Sequence, residues 1–150
     1  MKTLFFITFL IILASCSTTK ETTPVDSKNL IEPIIPSYSL NSVPVYPGCD
    51  TSIKNKDLIT CLSKGVGNHV RSNFNMNYLI NNNIQKRRII ASFVINSNGK
   101  VAKVTANEKN PILLAETKRV LFSIPRMIPA KKNNQNVATS FALPITLVLE

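Results

Sequence analysis

The stretch RIIASFVINSNGKVAKVTA, residues 88–106, decides the fold. Its first half holds Ile89, Ile90, Phe93, Val94 and Ile95, the β-branched and aromatic residues that suit a pleated, half-buried surface. Asn96-Ser97-Asn98-Gly99 then supplies turn residues with a glycine at the end, a hairpin signal. Beyond the turn, Val101 and Val104 stand among lysines, so residues 100–106 predict a second, polar strand at an edge or half exposed.

Downstream, Asn110 can cap a helix and Pro111 fits its first position. Ile112, Leu113, Ala115, Val120, Leu121 and Ile124 give the buried side, and Pro125 stops it. Residues 126–136 read as a basic, Asn-rich loop. In residues 141–150, Phe141, Leu143, Ile145, Leu147 and Leu149 alternate with Ala142, Pro144, Thr146 and Val148, a strand pattern. Pro144 cannot donate to a ladder, which predicts an edge on that side.

Upstream, Leu58, Leu62, Val66, Val70 and Phe74 recur every four residues and predict a helix over 53–74. Gly65 and Gly67 each disfavour it by about 1 kcal/mol against alanine, or let another element come close. Residues 73–83 read as a loop with Tyr78, Leu79 and Ile80 in a short packed turn. The expected fold is α+β: two helices packed on a three-stranded antiparallel sheet. If the last strand joins the far side of the first, the order is second, first, third, with the last strand at the edge.

The chain opens MKTLFFITFLIILASCS. Lys2, a short apolar run and small residues form a secretory signal pattern, with a run about half the ~20 residues of a membrane-spanning helix. Leu13-Ala14-Ser15-Cys16 resembles the lipobox of bacterial lipoproteins, in which the cysteine is lipidated and becomes the new N-terminus. The expected divisions are therefore a signal peptide at 1–15, a lipidated start and Pro/Ser/Thr-rich tether at 16–44, and a domain at 45–150. The expected location is the cell envelope, with the anchor at the outer membrane facing the periplasm. Three cysteines is an odd number. With Cys16 lipidated, Cys49 and Cys61 remain; an oxidising envelope favours pairing them, and two buried thiols are the alternative.

Residues 45–150 resemble the C-terminal domain of the TonB family. The resemblance rests on pieces in order: Tyr46-Pro47-Gly48-Cys49 with Cys61, as in Bacteroidetes-type members; Asn73-Phe74-Asn75 after the first helix; Phe93-Val94-Ile95-Asn96 and Asn98-Gly99-Lys100-Val101; Glu116; Ile124 to Pro129; and Leu143-Pro144-Ile145-Thr146. The chain departs from the family at Ala130, where glycine is usual after the proline, and at Lys86 or Arg87 before the first strand. The resemblance implies capture of an extended segment of an outer-membrane transporter by strand addition to the last strand. The residues it assigns are Phe141, Leu143, Ile145, Thr146, Leu147, Val148 and Leu149. A second copy of the chain at the same edge, a homodimer, is the competing occupant.

A net charge of +10 suggests an anionic partner, but the export signal argues against nucleic acid. Lys86, Arg87 and Arg88, and Arg126 with Lys131 and Lys132, form basic clusters. With hydrophobic residues at 44% and charged residues at 17%, a packed core is expected. His69 is the only histidine, about 12 Å along the helix axis from Cys61, so it forms no nucleophile–base pair. No carboxylate pair, phosphate loop or metal-ligand spacing stands out. The chain reads as a binding or structural module with no cofactor, not as an enzyme.

Overall fold

The computed structural model describes residues 32–84 and 87–148. The signal peptide, Cys16, most of the expected tether, Lys86 and Leu149 lie outside the described residues. In chain order the elements are β1 (Ile34–Ile35), α1 (Asn55–Asn73), α2 (Met76–Asn81), β2 (Arg87–Ile95), β3 (Val101–Ala106), α3 (Pro111–Phe122), β4 (Ala130–Lys132) and β5 (Gln135–Leu147). A 3-10 turn, Ser37–Ser39, follows β1.

The β2–β3 hairpin forms as its residues require. The Asn96 carboxamide oxygen accepts the Asn98 and Lys100 N–H groups, and the Gly99 N–H donates to the Asn96 carbonyl at 2.8 Å. Gly99 takes φ +76°, and its carbonyl accepts Met127 N–H at 2.8 Å. A Cβ there would run into the Met127 carbonyl, so the turn and the segment after α3 both require glycine. α3 begins as expected, with the Asn110 oxygen accepting the Ile112 and Leu113 N–H groups and Pro111 first in the helix.

The sheet runs β1-β5-β2-β3, and β4 pairs with the start of β5. The chain is thus α+β, but the expected two helices and three strands are too few. The third helix, α2, arises because Asn75 caps it: its side-chain oxygen accepts Tyr78 N–H at 3.0 Å, and Leu79 is buried. The basic segment expected as a loop instead holds β4 and a tight turn. Asn133 and Asn134 take φ +49° and +61°, and asparagine is among the residues that tolerate this left-handed region. The last strand is therefore flanked by β4 and β1 over its first residues and is not an edge throughout.

The expected tether is part of the fold in its described residues. Ile34 and Ile35 pair in parallel with Ala138 and Thr139, and the Thr139 hydroxyl donates to the Ile35 carbonyl at 2.7 Å. The Lys131 carbonyl accepts from both Asn41 and Ser42, and Val45 and Ile128 exchange two bonds of 3.0 Å. Val43 is 1% exposed. Isoleucines between prolines look like linker, but here they extend a sheet that needed a neighbour.

The main core lies between the helices and one face of the sheet. Leu62, Val66, Val70 and Phe74 meet Ile89, Ala91, Phe93, Ile95, Leu113, Val120, Leu121, Ile145 and Leu147. The period-four stripe of α1 is its buried side, as expected.

Candidate functional site: the free side of β5

β5 pairs with β2 in antiparallel register, Phe141 opposite Phe93, Leu143 opposite Ala91, Pro144 opposite Ile90 and Ile145 opposite Ile89. The direction of each backbone group follows from one neighbour. The Ile90 N–H donates to the Asn107 side-chain oxygen at 2.6 Å, and the Ile90 carbonyl accepts Asn107 N–H. Both groups of Ile90 face away from β5, so Ile90–Pro144 is a pair without mutual hydrogen bonds. By alternation, Phe141, Leu143, Ile145 and Leu147 bond to β2. The backbone groups of Ala142, Pro144 and Thr146 point the other way. β1 reaches only Ala138 and Thr139 on that side, and no described residue pairs beyond Ser140. Two N–H groups, of Ala142 and Thr146, and three carbonyls there have no partner among the described residues.

The residues expected to bind divide accordingly. Phe141 and Leu143 are half-buried, Ile145 and Leu147 buried, and their side chains face the core side. Thr146 and Val148 are exposed, and Leu149 lies outside the described residues. The backbone groups that could meet a partner strand belong to Ala142, Pro144 and Thr146; the apolar residues shape what lies beside it. Of these three, Thr146 was among the residues expected to bind, and Ala142 and Pro144 were not, because face and hydrogen-bond direction alternate together along a strand.

Beside the free side runs an apolar groove of about 190 Å³, lined by Gly67, Val70, Arg71, Phe74 and Met76 and by residues 143–147. A smaller notch between Leu62, Val66, Phe93, Phe141 and Leu143 adjoins it through Leu143. The groove was not expected from sequence, although the period-four stripe that builds its helical wall was.

One end of the groove is fixed by Glu116, which is 6% exposed. Its carboxylate accepts the Asn75 N–H at 2.7 Å and two Arg119 bonds, from Nε at 2.7 Å and Nη2 at 2.6 Å. Arg119 Nη2 also donates to the Asn73 carbonyl at 2.6 Å. The Arg119 guanidinium holds the Glu116 carboxyl below the usual carboxylate range, against the opposing effect of burial. In place the pair pins the α1–α2 junction to α3 and so positions Phe74 and Met76.

Cys49 and Cys61 form a disulfide, with Cα atoms 6.1 Å apart, tying the segment after Val45 to α1. Next to it the Tyr46 ring lies over Gly65, where a Cβ would overlap it. His69 is half-buried and shares a hydrogen bond of 3.0 Å with the Ser123 hydroxyl, a link between α1 and the end of α3. Arg87 and Arg88 sit in register with Leu147 and Thr146, at the far end of the free side.

Fold and site define an α+β domain with a partly unpaired sheet edge beside an apolar groove. Compared with known proteins, the chain matches no family model and no curated protein.

Proposed function

We propose that the protein is a binding module of the cell envelope, held to a membrane by lipid on Cys16, that captures an extended segment of an envelope or outer-membrane protein by strand addition. The observation that carries this reading is the free side of β5 between Ala142 and Leu147, open beside a groove of side-chain size. Main-chain bonds along such an edge supply affinity, and pockets beside it supply selectivity. The resemblance to the TonB C-terminal domain suggests the partner class, an outer-membrane transporter. No described helix is long and apolar enough to cross a membrane, so the lipid takes the anchoring role in this proposal.

A second reading, a structural envelope lipoprotein without capture, draws on Pro144, which removes a donor from the free side and so blunts pairing. One experiment separates the two. A photo-crosslinking residue at Ala142 or Thr146 is activated in intact cells, with Lys103 as the control on β3. Capture predicts a defined adduct at the first two positions, and the identified segment, added as a synthetic peptide, slows amide exchange at Ala142 and Thr146. Equal labelling at all three positions supports the structural reading.

A further inference from the structure

The two glycines of α1 differ in what they are for. Gly65 is explained by packing, since a side chain there would overlap Tyr46. Gly67 is not: a Cβ there would meet nothing within 4 Å, and glycine in a helix interior is less favourable than alanine. What Gly67 lines is the groove beside the free side of β5. We infer that Gly67 keeps this groove open for one bulky apolar side chain of the captured segment, and that the segment carries carboxylates two residues to either side of it, on the same face.

Size and charge both bear on the occupant. At about 190 Å³ the groove falls below the roughly 300–1,000 Å³ of small-molecule pockets and suits a single side chain. Its lining is Val70, Phe74, Met76, Leu143, Ile145 and Leu147 apart from Gly67, Arg71, Pro144 and Thr146, so the side chain it takes is apolar. A strand added to β5 alternates its side chains between the two faces of the sheet, so alternate residues turn toward α1. Those residues enter the groove with the backbone already aligned.

Charge defines the rest. Arg71 lines the groove, Arg87 stands at the strand end on the face that Ile89 shares, and both are exposed. No carboxylate lines it. Glu116, which bonds the amide next to Met76, is committed to Arg119. A carboxylate on that face therefore meets the exposed guanidinium groups of Arg71 and Arg87 and no competing acid among the lining residues, whereas a lysine there would be repelled.

This inference rests on the capture reading, and its test keeps the two apart. The probes are fluorescein-labelled ten-residue peptides of alternating threonine and valine. One has a central leucine with aspartate two residues to either side, one has alanine for the leucine, and one has lysine for both aspartates. Binding is read by anisotropy, and edge pairing by exchange at the Ala142 and Thr146 amides. The leucine–aspartate peptide is expected to bind the wild-type protein at least tenfold more tightly than the other two, about 1.4 kcal/mol. Gly67→Leu fills the groove from open space, so its melting temperature should hold while this preference disappears. Thr146→Pro, which removes a free-side donor, should weaken all three peptides alike.

If the peptides bind and protect both amides but Gly67→Leu changes nothing, the groove inference falls and the edge reading stands. If no peptide binds the wild-type protein up to 1 mM (roughly −4 kcal/mol), both are overturned.

Discussion

Ile90 and Pro144 stand opposite each other in the β2–β5 ladder, yet neither needs the other for a hydrogen bond, because Ile90 gives both its backbone groups to Asn107. The proline therefore costs the ladder nothing. The donor it removes belongs to the free side, between the N–H groups of Ala142 and Thr146. A partner strand can take two bonds each from Ala142 and Thr146 but finds only an acceptor at Pro144. That gap limits pairing with a second copy of the chain, which would meet the same gap in its own β5.

Pro144→Ala restores the donor. The expected outcome is stronger self-association, seen as a concentration-dependent rise in sedimentation coefficient absent from the wild type. Thermal stability should fall by no more than about 1 kcal/mol, the unfolded-state entropy that proline removes. A collapse of the fold would show that Pro144 does more than blunt an edge.

The glycine pair in α1 predicts opposite signs for one substitution. Gly67→Ala should stabilise by about 1 kcal/mol, since the new methyl group meets open space and helix propensity improves. Gly65→Ala gains the same propensity but must displace the Tyr46 ring, and overpacking of this kind costs about 1–3 kcal/mol. It should therefore be neutral to destabilising. Urea midpoints of the two variants, measured side by side, check the difference in sign.

Reducing or replacing the Cys49–Cys61 bridge should lower stability by about 2–3 kcal/mol, as expected for a short closed loop in the chain-entropy account. The double variant Cys49→Ser/Cys61→Ser and the reduced wild type should have similar denaturation midpoints. The bridge ties the segment that leaves Val45 to α1, so exchange protection should fall first at Val45 and Ile128.

Glu116 makes stability depend on acid. Its folded-state pKa lies below the ordinary 4.5 because Arg119 and the Asn75 N–H favour the carboxylate. The stabilisation it contributes is fully present above the ordinary value and is lost as pH falls through the lower folded-state value. Glu116→Gln should therefore flatten the acid limb of the stability–pH curve. It should also cost about 1–3 kcal/mol at neutral pH, since the Asn75 N–H and the Arg119 guanidinium lose a charged acceptor. An unchanged acid limb would show that other carboxylates govern it.

Legibility followed from whether a pattern was local. The α1 stripe, the 96–99 turn and the Asn110-Pro111 start each state their structure in adjacent residues, and each is present. The Cys49–Cys61 pairing was legible from parity and compartment. What escaped depends on partners distant in sequence. Ile34 and Ile35 become a strand only because Ala138 and Thr139 lie open to them, and Ala130, Lys131 and Lys132 only because Gln135, Asn136 and Val137 return beside them. The groove escaped for the same reason, being built from α1, α2 and β5 at once. The spacing of Glu116 to Arg119, i,i+3, is common on helices and marks nothing by itself, while its bond to Asn75 spans 41 residues.

The last prediction concerns where the folded unit begins. Resemblance and composition both placed that point at residue 45, but the residues before it are bonded into the structure. Val43 is 1% exposed, and Asn41 and Ser42 share the Lys131 carbonyl. Asn55, at the start of α1, donates to the Asn41 carbonyl and accepts Val43 N–H. Farther back, the Glu32 carboxylate accepts the Ser97 N–H at 3.1 and 3.2 Å, beside the hairpin turn. A chain starting at residue 32 keeps all of these contacts and sets the reference stability. A chain starting at 45 should lose several kcal/mol: burying a valine contributes about 1.5–3 kcal/mol, and the bonds to Lys131 and Asn55 go with it. A chain starting at 41 should lie between them, lacking β1, the Ser37–Ser39 turn, the packing of Leu40 against the cluster that holds Val43 and Val45, and the Glu32 contact, with exchange protection lost first at Ser97. Equal urea midpoints for the chains starting at 32 and 45 would show that the paired segment rides on the domain without supporting it.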